Sequence, residues 1–216
     1  MNRKITLTNI RKSFRKIQVL CFRLLSISEA ELVAFVGKNG TGKTTLLKII
    51  AGLLLADSGE VDIFGMRSKK QLRRKIRYVQ ESGRGMYEYL SASQNISYFS
   101  ALNRMKRSDI ERLTAKYSDK MHFNEYLELP VSELSQGNRQ KLSLIIALVS
   151  QPEIICLDEP TNGLDAESKQ ILIDVLKEEN QQRKVTVIFT SHDTEFIQGL
   201  NAREVNLEKI SGADVT

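Results

Sequence analysis

The chain has 216 residues, of which 41% are hydrophobic and 27% charged, and a formal net charge of +6. This is the balance of a soluble globular domain long enough to bury a sizeable core. The longest apolar stretch, near residues 46–56, is broken by Lys48 and Gly52 and is too short to span a bilayer, and the opening "MNRKITLTNI" has no apolar signal core, so the cytoplasm is the expected location.

Cys21 and Cys156 make no disulfide framework, and no Cys/His spacing suggests zinc. Cys156 lies in an apolar run and reads as a core residue.

Short strands are expected near residues 3–9 and 18–26, then a buried strand over "ELVAFV", residues 31–36. The next eight residues, Gly37-Lys38-Asn39-Gly40-Thr41-Gly42-Lys43-Thr44, fit G-x-x-x-x-G-K-[ST]. Glycines admit backbone angles closed to other residues, so successive N–H groups can turn inward as a nest for anionic oxygens. A helix signalled by Leu46, Leu47, Ile49 and Ile50 aims its N-terminus, rich in unpaired N–H groups, at the same spot. The pattern predicts a phosphate site built by Gly37, Asn39, Gly40, Thr41, Gly42, Lys43, Thr44 and Thr45. Lys43 reaches the outer phosphates and the Thr44 hydroxyl ligates Mg²⁺. The bland alternative is a glycine turn that binds nothing.

"DSGEVDIFG" reads as turn, strand and turn, with the strand near 60–64. "MRSKKQLRRKIR", residues 66–77, carries seven Lys/Arg and no acid. It is either a solvated face or a patch for an anionic surface such as lipid. From about 82 to 135 helical stretches dominate, including Ser93–Asn103 and Ser108–Lys120. Beyond them come a helix (Asn138–Ser150), a strand (Ile154–Leu157), a helix (Ala166–Gln182), a strand (Val185–Thr190), a helix (Thr194–Leu200) and a strand-like piece (Arg203–Leu207). The alternation implies an α/β fold with a parallel sheet and its ligand at the carboxyl ends of the strands.

"IICLDEP", residues 154–160, ends an apolar strand in two acids. Asp158 can hold Mg²⁺ through its water shell, and Glu159 can act as general base on the attacking water. "LSQGN", residues 134–138, places Ser135 and the Gly137 backbone at another helix start, a second anion-binding geometry. Two phosphate-binding ends in one small domain make sense if each serves a different nucleotide.

Together, "GKNGTGKT", "LSQGN" and "IICLDEPTNGLD" resemble the ATPase subunits of ABC transporters, and the likeness covers nearly the whole chain. It implies a single P-loop NTPase domain over 1–216. Such a domain has a mostly parallel sheet core, an antiparallel β subdomain, and an inserted helical signature subdomain at about 82–138. It also implies that Ser135 and Gly137 of one subunit close over the ATP held by the phosphate loop of another, with Asp165 of "TNGLDAES" facing that partner. Phe14 falls where the family stacks an aromatic ring on adenine, its alternative being a core Phe. His192 of "TSHD" matches the histidine that contacts the γ-phosphate, whereas His122 has no such context and reads as a surface residue.

The sequence departs from the family at several places. Gln136 stands where a second signature Gly is usual, Asn138 where Gln is usual, and Ala30 where Gly is common. Gln80 and Glu81 compete for the role of the family's metal-contacting glutamine: Gln80 keeps the residue type, while counting along the family's pattern puts Glu81 at the functional position. The implied partners are a second ATPase subunit, with a homodimer favoured, and separate transmembrane permease subunits. No nucleic acid is expected, and the implied location is the cytoplasmic face of a membrane. The resemblance favours export; the alternative is a soluble, non-transport ABC ATPase acting on ribosomes, nucleic acid or cofactor assembly.

Overall fold

Strand β1 (Lys4–Phe14) turns through Arg15, at φ +56°, into β2 (Ile17–Ser28), and the two pair antiparallel with Phe14 opposite Ile17. The computed structural model describes residues 3–66, 72, 74–210 and 214–215, so half of the basic segment 66–77, residues 67–71 and 73, lies outside the described residues. Both hairpin strands run further than the sequence pattern implies. Toward the tip neither face is covered, so residues 11–16 carry no apolar alternation that would mark them as strand. Asn9, at φ +52°, lies where the pairing of β1 with the strand Ser58–Ile63 shifts register, between Thr8 and Arg11, and the buried face moves from Leu7 to Ile10.

The remaining strands are β3 (Leu32–Val36), β4 (Ser58–Ile63), β5 (Ile76–Val79), β6 (Ile154–Asp158), β7 (Thr186–Thr190), β8 (Arg203–Asn206) and β9 (Asp214–Val215). They form two sheets. One has the order β4-β1-β2-β9, with the β1 pairings antiparallel; the other has the order β5-β6-β7-β3-β8 and is parallel throughout. β5 escapes the sequence pattern because it is four residues long and carries Arg77 behind a basic run.

Every residue of β6 and β7 is buried, as central strands covered on both faces must be. Alternate side chains serve two cores. Ile154, Cys156 and Ile188 pack with β1, β2 and the first helix, α1 (Lys43–Ile50). Ile155, Leu157, Val187 and Phe189 face the other helices: α2 (Ala92–Leu102), α3 (Arg107–Lys120), α4 (Gln136–Val149), α5 (Ala166–Arg183) and α6 (Thr194–Leu200). Caps start these helices where the sequence supplies acceptors. Ser91 and Gln94 form a capping box on α2, while Ser135, Asp165 and Asp193 cap α4, α5 and α6.

A buried carboxylate ties α3 to α5. Glu179, 1% exposed, accepts from the Tyr117 hydroxyl at 2.8 Å, Lys116 at 3.2 Å and Arg183 at 2.6 Å. Ala30 sits at φ +59°, which explains why glycine would suit that turn; its N–H and carbonyl are held by Thr186 and Asn180. Among the described residues no helix is long and apolar enough to cross a membrane.

Candidate functional site

The parallel sheet delivers the site from strands far apart in sequence. β3 and β6 both end at the same edge, with β7 between them. The loop after β3 therefore meets the acids that end β6. Its turns require glycine where side chains crowd in: at Gly42, φ +93°, an added Cβ would lie 2.7 Å from Leu20 and 2.9 Å from Val19. Lys43 is 7% exposed and folds back over the loop, donating to the carbonyls of Gly37 at 2.7 Å and Lys38 at 3.0 Å. Glu208, just past β8, accepts from the Lys38 N–H at 2.7 Å and pins the start of the loop.

The Asp158 carboxylate receives three hydroxyls. Oδ1 accepts from Thr44 at 2.8 Å and Thr190 at 2.9 Å, and Oδ2 accepts from Tyr78 at 2.8 Å. Thr190 in turn accepts from the Glu159 N–H at 2.9 Å. Glu159 itself has φ +45°, a left-handed conformation uncommon outside glycine, and this turns its side chain off the strand. Burial pushes its carboxyl above the usual carboxylate range, against the opposing pull of His192 and Lys43. His192 Nε2 lies 3.1 Å from Asn39 Oδ1 and 3.6 Å from Glu159 Oε1, so the imidazole bridges the phosphate loop and the acid. The Tyr78 hydroxyl is pushed up by burial and by the Asp158 charge, so it stays a donor.

An open cleft of about 570 Å³ is lined by Phe14, Asn39, Gly40, Gly42, Lys43, Thr44, Thr45, Glu81, Glu159 and His192, together with Val19 and Asn162, and Asp158 adjoins it through its bond to Thr44. Phe14 is 47% exposed at the hairpin tip, so it is a rim residue and not a core one. Of the competing pair, Glu81 enters the cleft, where it accepts from Asn162 Nδ2 at 2.9 Å. Gln80 lines a different groove with Arg77, Arg84 and Phe99, which corrects its placement as a metal-side residue. β5 ends at Val79 and Glu81 opens a short 3₁₀ turn, so the turn and not the strand's alternation sets where Glu81 points.

Ser135, Gly137 and Asp165 do not line the cleft. Ser135 spends its acceptor on the Asn138 N–H at 3.2 Å, capping α4. Asp165 caps α5 through the Ser168 N–H at 2.7 Å, which holds its carboxyl below the usual range. Gly137 packs on the carbonyl of Gly163, where an added Cβ would come within 2.6 Å, and the Gln136 side chain lies across the same glycine. His122 is exposed near Glu167, and Cys156 is fully buried with its thiol pushed up by desolvation. Sequence reasoning passed over Tyr78, Thr190, Asn162 and Glu208. Thr190, two residues before His192, and Asn162, inside "TNGLDAES", each had a positional cue, whereas Glu208 had none.

The cleft is suited to a polyphosphate with a hard cation. Thr44, Asp158 and Glu81 offer an all-oxygen donor set, the type Mg²⁺ prefers. Among the described residues no cluster of three or more His, Cys, Asp or Glu could hold an ion by itself, so phosphate oxygens would have to complete the shell.

The family model described as "ABC transporter" matches residues 24–162. The ABC transporter ATP-binding protein NatA of Bacillus subtilis is 34% identical over 203 residues, covering 91% of this chain and 82% of that protein. The sulfate/thiosulfate import ATP-binding protein CysA 1 of Shewanella oneidensis is 31% identical over 219 residues, covering 96% of this chain and 58% of that protein. Among solved structures, the dimeric structure of MJ0796, a bacterial ABC transporter cassette, shares the fold with a TM-score of 0.83 at 24% identity, covering 94% of each chain. With a phosphate loop and a strand-end acid pair meeting in one cleft, this chain belongs to the ABC transporter family, as one of its ATP-binding, ATP-hydrolysing subunits.

Proposed function

We propose that the chain is the motor of a membrane transporter, working as a pair of copies at the cytoplasmic face of a membrane with permease subunits on separate polypeptides. The observation that carries this reading is the Thr44–Asp158 hydrogen bond of 2.8 Å, which joins residues 114 positions apart into one nucleotide cleft. In the proposal Phe14 stacks on the adenine, and the backbone of Gly37–Thr45 with Lys43 cradles the phosphates. Thr44, Asp158 and Glu81 hold Mg²⁺, which when bound neutralises charge on the phosphate oxygens. Glu159 takes the proton of the attacking water, and its raised proton affinity suits that task at neutral pH. His192, held by Asn39, orients the γ-phosphate end of the cleft.

Ser135 and Gly137 of a second copy complete the cleft, because in their own chain they lie outside it. The Gly137–Gly163 contact links that signature turn to the Asp165 segment, so the two surfaces offered to a partner are packed as one unit. The export direction favoured by the sequence resemblance gains no support from the relatives, one of which is named as an import protein, so the proposal covers transport without a direction.

Two measurements test it. Lys43→Ala removes the ammonium that the loop offers to phosphate, and a bond to a charged group is worth about 1.5–3 kcal/mol. Calorimetry should therefore show ATP affinity lower by roughly 10- to 150-fold, with the fold intact. Wild-type affinity would reject the phosphate loop. Pull-down of the tagged chain from native membranes should recover a multi-span protein; recovery of ribosomes or nucleic acid instead would overturn the transport reading.

A further inference from the structure

We infer that Tyr78 is a positioning residue for Asp158, holding the carboxylate in the orientation that receives the divalent cation. The inference rests on the proposal that Asp158 stands on the metal side of the cleft. A carboxyl group turns about a broad, shallow terminal torsion and needs partners to fix its plane. Asp158 has donors on both oxygens, but they are not equivalent. The Thr44 hydroxyl on Oδ1 is itself proposed to turn toward the ion, so that bond is not permanent. The lasting donors are then Thr190 on Oδ1 and Tyr78 on Oδ2.

Thr190 accepts from the Glu159 N–H and gives its one proton to Asp158, since an ionised carboxylate can only accept. Tyr78 is the only described partner of Oδ2. Its backbone is fixed in β5 directly opposite Cys156, in the strand that carries Asp158, so donor and acceptor share one rigid scaffold. Its side chain packs against the core that holds α1, on the same face of the sheet as Ile76 and Cys156. Outer-shell partners of this kind orient metal ligands, and their loss commonly lowers metal affinity.

The test uses the full chain and a fluorescent ATP analogue, with binding followed as Mg²⁺ is titrated in and again in EDTA. Tyr78→Phe deletes the hydroxyl alone. The half-saturating Mg²⁺ concentration should rise about tenfold, the low end for outer-shell substitutions, while nucleotide affinity in EDTA and the melting temperature stay at wild-type values. Thr190→Val should raise the Mg²⁺ requirement in the same way, and Thr190→Ser should restore it. The inference is overturned if Tyr78→Phe needs no more Mg²⁺ than wild type, or if it loses affinity equally with and without the ion. Asp158→Asn separates the two claims. If Asp158→Asn abolishes the Mg²⁺ dependence and Tyr78→Phe leaves it intact, only the role of Tyr78 falls. If Asp158→Asn also leaves it intact, the metal-side reading of Asp158 falls first.

Discussion

The side-chain amide of Asn162 donates to the carboxylate of Glu81 at 2.9 Å, joining the segment after β5 to the turn that leads from β6 into α5. Glu81 is a third carboxylate on a cleft already bordered by Glu159 and, through Thr44, by Asp158. Three acids facing a polyphosphate make the site depend on a cation to offset their repulsion.

Glu81→Gln keeps the acceptor for Asn162 and removes one negative charge. Glu81 is exposed, so screening limits the gain to about 0.5–1 kcal/mol, roughly two- to fivefold in affinity. ATP should bind more tightly in EDTA by that factor, and the enhancement given by Mg²⁺ should shrink. Isothermal titration with and without the ion reads both; tighter metal-dependent binding by the wild type in equal measure would remove Glu81 from the phosphate end.

Glu159→Gln keeps size and hydrogen bonding but cannot take a proton. ATP turnover should fall by about 10²–10⁴, the usual worth of a positioned general base. Binding should survive, so light scattering after gel filtration should find a dimer with Mg-ATP, and adding Ser135→Arg should disperse it. The wild-type pH profile follows from the carboxyl raised by burial. The base is lost when protonated, so turnover drops as pH falls through a value above the ordinary glutamate pKa of about 4.3. The residual activity of Glu159→Gln should lack that acid limb.

Gly137→Ala tests the contact between the signature turn and the turn before α5. The new methyl would sit 2.6 Å from the Gly163 carbonyl, too close for any relaxed pair. The turn must shift, taking Asp165 with it. Nucleotide binding by the single chain should be unchanged, while the ATP-dependent dimer of the Glu159→Gln background should weaken. A dimer of unaltered stability would show that the contact has no bearing on assembly.

The Glu179 cluster predicts stability and not activity. Glu179→Ala leaves the buried Tyr117 hydroxyl without its acceptor, while Lys116 keeps Glu178 and Arg183 is partly exposed, so the loss should be about 1–3 kcal/mol. Tyr117→Phe removes one neutral donor and should cost about 1–2 kcal/mol. Urea unfolding monitored by circular dichroism measures both.

The local chemistry of this protein was written in short runs of sequence. The phosphate loop and the strand ending in Asp158 and Glu159 depend on neighbours within a few residues, so their spacing alone identifies them. The parallel α/β core was equally legible, since β6 and β7 are apolar runs set between helices. What only tertiary structure decided are the pairings between distant strands. Glu81, which a count along the family's pattern favours, borders the cleft and Gln80 does not, because the chain leaves β5 after Val79 and turns at Glu81. Tyr78 looks like an ordinary strand residue until β5 pairs with β6 and brings its hydroxyl to Asp158, eighty positions away. Glu208 reaches the phosphate loop only because β8 lies beside β3. Sequence spacing fixes which groups a turn or helix end presents; the register between strands fixes which of them meet.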